Sequence, residues 1–181
     1  MHSYFPDYEK AGILHCVKVV RLLVDLMAVS FFLLTSVGQA WVTTPSIEMG
    51  LWRYCFTADD HCVMYNEDTL TFVEKAARVM VALSCLCILA ATAFSIFGLF
   101  SSKTRGTFHS MATVSACCCL ASAMIIFTVQ VNSALPSALQ LMEEGEDYQF
   151  GWTYIVGWTS VWFTFLAWIV VFCSVTALNE I

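Results

Sequence analysis

Cysteine, histidine and carboxylate side chains are where this 181-residue chain could carry chemistry: it has nine Cys, four His and 14 Asp or Glu. Cys117, Cys118 and Cys119 are consecutive. Neighbours on a helix point about 100° apart and cannot converge on one metal ion, so these three read as small packing residues. The histidines are scattered and no nucleophile has a base at a recognisable spacing, so no enzyme, metal site or cofactor is expected. Cys16 and Cys173 fall near the expected cytoplasmic surface and are candidates for palmitoylation. Asp25 lies inside an apolar run, a place where an acid is a functional candidate. Arg21, four residues earlier, offers it a partner near the membrane surface, and pairing of the two is the expectation.

Acids also cluster at Asp59 and Asp60, and at Glu143, Glu144, Glu146 and Asp147. They lack the alternation of a calcium loop and read as solvated faces. Together with His61 they mark a possible recognition surface: Asp59, Asp60, His61, Glu143 and Glu144.

The elements that must position these residues are membrane spans. The chain is 59% hydrophobic and 12% charged, with a mean hydropathy of +0.74. A soluble domain is about half apolar and a quarter charged. Apolar blocks at about 19–40, 74–100, 109–131 and 152–175 each approach or exceed the roughly 20 residues that cross a bilayer as a helix. None alternates as a barrel strand would. One membrane domain over 1–181 is expected, with a first outer connection at 41–73 and a second at 132–151. The first block is too long, and its charged lead too extended, for a cleaved signal.

Lys10, Lys18, Arg21, Lys103 and Arg105 sit before the first block or between the second and third, whereas the acids concentrate in the other two connections. The positive-inside rule then puts both termini in the cytoplasm. Cys55 and Cys62, with six residues between them, are the two cysteines expected to meet the oxidising exterior and are the natural disulfide. Strands are expected at Trp41–Thr44, Leu51–Phe56 and Val63–Tyr65, the last two stapled into a hairpin with its tip at Thr57–His61. Small residues recur at Cys87, Ala91 and Ser95 and at Ser115, Cys119 and Ala123, stripes that let helices approach closely in lipid. No basic patch with interleaved aromatics exists, so nucleic acid is not an expected partner.

Trp41, then Gly50-Leu51-Trp52, then Cys55 and Cys62 form a pattern that resembles the claudin, peripheral myelin protein and epithelial membrane protein superfamily. Ala77 and Arg78, at the start of the second helix, and Tyr148, Phe150, Gly151, Gly157 and Trp158, leading into the fourth, resemble it as well. The short distance from Trp41 to Gly50 is similar to the myelin and epithelial membrane branch, and the run Gly50 to Cys55, with Phe150, Trp152, Tyr154, Ile155, Gly157 and Trp158, resembles its lens fibre members. The resemblance implies an all-α, left-handed four-helix bundle with a small extracellular antiparallel β-sheet. It implies a plasma-membrane protein acting in cell contacts or membrane organisation, with the bilayer and another membrane protein or a second copy as partners. Two further readings are an auxiliary subunit of an ion channel or receptor, as γ-like relatives are, and a paracellular cation pore. Within the motif, Trp41 and Trp52 are expected to dock the sheet on the helix ends through their indole N–H groups. Gly50 allows a close approach or a positive φ. Arg78 is expected to reach loop carbonyls, Glu48 or Glu74.

Overall fold

The computed structural model describes residues 7–58, 61–66, 70–100, 106–141 and 148–179. Four helices dominate: α1 (Asp7–Val37), α2 (Phe72–Phe100), α3 (Gly106–Leu141) and α4 (Trp152–Asn179). Between α1 and α2 lie β1 (Val42–Thr43), β2 (Ile47–Met49), β3 (Arg53–Phe56) and β4 (His61–Met64); β5 (Gln149–Phe150) precedes α4.

By length and composition α2, Thr107–Ser133 of α3 and Trp152–Cys173 of α4 can each cross a membrane. Beside them runs α1, its apolar stretch interrupted by Arg21 and Asp25. It starts well ahead of the expected residue 19, because nothing in Asp7–Cys16 breaks a helix. In the same way α3 runs past the expected end at 131 and through Pro136, where a loop was expected.

Helix α2 begins with a reciprocal cap. Thr71 Oγ1 accepts from the Glu74 backbone N–H at 3.3 Å, and Glu74 Oε2 accepts from the Thr71 N–H at 2.7 Å. Two otherwise orphaned donors are thereby satisfied at a helix end.

The helices form a closed ring of neighbours, with α1 against α2 and α4, and α3 against α2 and α4. On α2 the buried positions are Ala77, Val81, Ser84, Ile88, Ala91, Ser95 and Gly98. Small residues fall every seven along that seam, letting α3 close in so that Ser84 Oγ donates to the Ala116 carbonyl at 3.0 Å. Of the expected small stripes Ala91, Ser95 and Ala123 are buried, whereas Cys87 and Cys119 are half-buried and Ser115 is exposed. On α3 the buried line is instead Ala116, Leu120 and Ala123. The outward faces carry Leu86, Phe97, Met111 and Trp162, each more than 60% exposed, as a lipid-facing surface requires.

All strand pairs are antiparallel, in the order β4-β3-β2-β1-β5. Residues 50–53 form a two-residue turn, with Gly50 N–H donating to the Arg53 carbonyl at 2.9 Å. The second strand therefore starts at Arg53 rather than Leu51. Strand β5, from the second connection, pairs with β1 through Val42 opposite Phe150 and Thr43 opposite Gln149. Both interhelical connections thus contribute to one sheet.

Candidate functional site

Trp41 is the node where the sheet meets the bundle. It is fully buried, its ring edge-on to Phe127 at 4.7 Å. Its indole Nε1 donates to the Thr35 carbonyl at 3.0 Å, and Trp52 Nε1 donates to the Ser36 carbonyl at 2.8 Å. Thr35 and Ser36 lie in the last turn of α1, where carbonyls lack helical partners, so two indoles cap consecutive orphans. The Trp41 backbone N–H donates to Met49 in β2 at 2.9 Å, and its carbonyl accepts from Gly151 ahead of α4 at 3.0 Å. One residue therefore ties α1, β2 and the start of α4.

Gly50 is needed for close approach. A Cβ there would lie 3.0 Å from the Gln39 carbonyl oxygen and 3.1 Å from Gln39 Cα. Leu51, in the turn, is buried under the sheet. Among the described residues Arg78 bonds none of the expected carbonyls or acids. Its guanidinium carbon lies over the Trp52 ring at 5.5 Å and the Tyr65 ring at 5.1 Å. Two aromatic faces thus attract the cation. Burial, with the Glu74 charge adding to it, pushes the Tyr65 phenol up to about 12.

Cys55 and Cys62 face one another on β3 and β4 and are joined as a disulfide. The Gln39 side chain sits beside them. With its carbonyl oxygen turned to Arg53, it accepts from Arg53 Nε at 3.3 Å and from Nη2. Its NH2 group then faces the Cys55 sulfur, 2.9 Å away, the polarity consistent with a disulfide that carries no S–H. His61 and Met64 are exposed on β4, and Phe56 is exposed on β3. Asp59, Asp60, Glu143 and Glu144 lie outside the described residues. Cys16 and Cys173 are exposed and are not in a disulfide.

A second polar centre was not foreseen. Asp25, 3% exposed, is buried among three helices rather than paired at the surface with Arg21. Its Oδ2 lies 2.9 Å from His109 Nε2 on α3 and accepts a short hydrogen bond from Ser95 Oγ on α2. Arg21 Nε donates instead to Ser95 Oγ at 3.1 Å. A hydroxyl that both donates and accepts here relays Arg21 to Asp25. His109 Nδ1 faces Thr113 Oγ1 at 3.3 Å.

This is not a nucleophilic relay. In such a relay the acid holds one ring nitrogen and the serine the other. Here Asp25 and Ser95 share Nε2, with Ser95 Oγ 2.8 Å from it, and the group is sealed from solvent. The cluster pins helices together. The signal available in the sequence was an acid, a small polar residue and a histidine, each near the same end of its own apolar block.

The geometry defines a class: a multi-pass membrane protein whose helices carry a disulfide-stapled sheet fixed at one end by two tryptophans. A family model described as the PMP-22/EMP/MP20/Claudin family matches residues 15–171, and the chain belongs to that family. It is 29% identical to the lens fiber membrane intrinsic protein of Rattus norvegicus over 128 residues, which cover 69% of each chain. To epithelial membrane protein 1 of Homo sapiens it is 25% identical over 149 residues, 79% of this chain and 87% of the relative.

Proposed function

We propose that the chain is a non-enzymatic plasma-membrane protein, all four helices spanning as one domain, that organises cell contacts or membrane domains through its sheet. The observation that supports this is the rigid mounting of that sheet. Trp41 and Trp52 bind consecutive carbonyls of α1, and β5 adds the second connection to the same sheet. A platform fixed at both connections can present a surface without paying conformational entropy on each encounter.

The recognition surface on this reading is the hairpin tip, with Asp59, Asp60 and His61, and the acidic stretch with Glu143 and Glu144. The partner is another membrane protein or a second copy. Acylation at Cys16 and Cys173 would add an anchor at the opposite end; acyl exchange comparing the parent with a double Cys→Ser substitution tests it. Expression in non-adherent cells tests the main reading. Enrichment at contacts, with capture of a second tagged copy or of one membrane protein, is expected. Uniform distribution with neither capture would sink it.

The auxiliary-subunit reading loses one support, since Asp25, an acid that could have served a partner helix, is satisfied within the bundle. A stoichiometric channel retained through mild-detergent purification would restore it. The cation-pore reading predicts lowered transepithelial resistance on expression, and unchanged resistance disposes of it.

A further inference from the structure

A cavity of about 170 Å³ opens beneath the sheet, against the facing ends of α2 and α3. Cavities of about 150 Å³ already admit a benzene-sized molecule. Leu51 and Phe127 supply apolar walls, and four polar side chains converge there: Tyr65, Glu74, Arg78 and Gln130. Glu74 commits Oε2 to the Thr71 cap, and among the described residues Oε1 has no hydrogen-bond partner. Glu74 and Arg78 are one helical turn apart and of opposite charge, the spacing of a helical ion pair. They do not pair. Among the described residues neither forms an ion pair, and the guanidinium of Arg78 is drawn instead onto the rings of Trp52 and Tyr65. One wall therefore holds a cation and an anion apart, each with hydrogen-bonding capacity left over.

Such a wall is complementary to a zwitterion. It lies where α2 and α3 reach the sheet, the depth at which lipid headgroups meet a membrane protein. We propose that the cavity holds the headgroup of a phospholipid with a primary ammonium, phosphoethanolamine. The phosphate accepts from the fork of Arg78 and from the Tyr65 hydroxyl. The ammonium donates to Glu74 Oε1 and to the Gln130 amide oxygen. A quaternary ammonium has no N–H for those acceptors and needs aromatic faces instead. Of the aromatic rings lining the cavity, Tyr65 already holds the Arg78 guanidinium and Phe127 is packed against Trp41. The inference goes beyond the contact reading and stands or falls without it.

Native mass spectrometry of the full-length protein in detergent, titrated with phosphatidylethanolamine, phosphatidylcholine and phosphatidylglycerol, tests it. Phosphatidylethanolamine should bind about tenfold more tightly than either other lipid, the worth of one charged hydrogen bond. Glu74→Gln keeps an oxygen for the Thr71 cap and should remove that preference, so that phosphatidylethanolamine binds no more tightly than phosphatidylcholine. If Glu74→Gln fails to fold, as judged by helical circular dichroism, Gln130→Leu carries the test with the same expected direction. Equal binding of the three lipids by the parent protein, or a preference that survives the substitution, overturns the proposal. Soluble phosphoethanolamine binding as tightly as the lipid overturns the bilayer as its source.

Discussion

His109 Nε2 on α3 lies 2.9 Å from Asp25 Oδ2 on α1, with both side chains buried. Ser95 of α2 touches both, so three helices meet at one polar point. Removing one member takes a buried partner from each of the others in a medium with no water to replace it. Asp25→Ala and His109→Ala should each cost about 3–5 kcal/mol. The double variant should cost less than their sum, by about 1–3 kcal/mol. Thermal or denaturant unfolding in detergent, followed by helical circular dichroism, measures both, and simple additivity would refute the coupling.

The two indole caps differ in exposure, fully buried for Trp41 and 39% for Trp52. Trp41→Phe leaves the Thr35 carbonyl buried without its donor and should cost about 1–3 kcal/mol. At Trp52 water can replace the indole, so Trp52→Phe should cost less. Comparing the unfolding midpoints of the two variants decides the order.

Glycines in this chain divide by what faces them. At Gly151 an added Cβ would lie 2.7 Å from the Ala40 carbonyl carbon, a backbone atom that cannot swing away. At Gly157 it would meet Met124 Cε at 2.8 Å and Sδ at 2.9 Å, the flexible end of a side chain. Gly151→Ala should therefore abolish surface expression, while Gly157→Ala should reduce it modestly. Gly12 has nothing within 4 Å and lies exposed in α1, so Gly12→Ala should gain about 0.5–1 kcal/mol.

Tyr65 makes a pH prediction. Its phenol is pushed from 10.0 to about 12, so the folded state disfavours ionisation relative to the unfolded chain. The stabilisation is whole below pH 10 and is lost as pH rises from 10 through about 12. Arg78 favours the phenolate, so Arg78→Gln should move the phenol higher still. Absorbance titration of phenolate formation, parent against Tyr65→Phe, isolates the group.

The Cys55–Cys62 disulfide closes the β3–β4 hairpin at the sheet edge, away from the helix seams. Reduction should loosen the hairpin and abolish contact function while the helical signal persists. Loss of helicity at the same reductant concentration would show that sheet and bundle unfold together.

Much of the architecture was legible because it is written in runs of residues. Apolar blocks gave helices, and the paired cysteines in a polar connection gave the hairpin. Strands β2 and β5 were not, since elements of three and two residues are too short to display a period. Arg78 was read as seeking loop carbonyls or an acid, whereas two aromatic faces compete for it once the sheet folds over α2. Asp25 was read through its nearest sequence neighbour, and its partners are 70 and 84 positions away.

The sequence alone therefore determined the membrane class, the stapled hairpin and the family motif, because composition and spacing are local properties of the chain. Only the tertiary structure decided which groups meet. The two indoles find consecutive carbonyls of α1, β5 completes the first connection's sheet, and Asp25 meets His109. The contacts span from six positions, Trp41 to Thr35, to 84, Asp25 to His109, and are set by how the helices and sheet pack rather than by any local pattern.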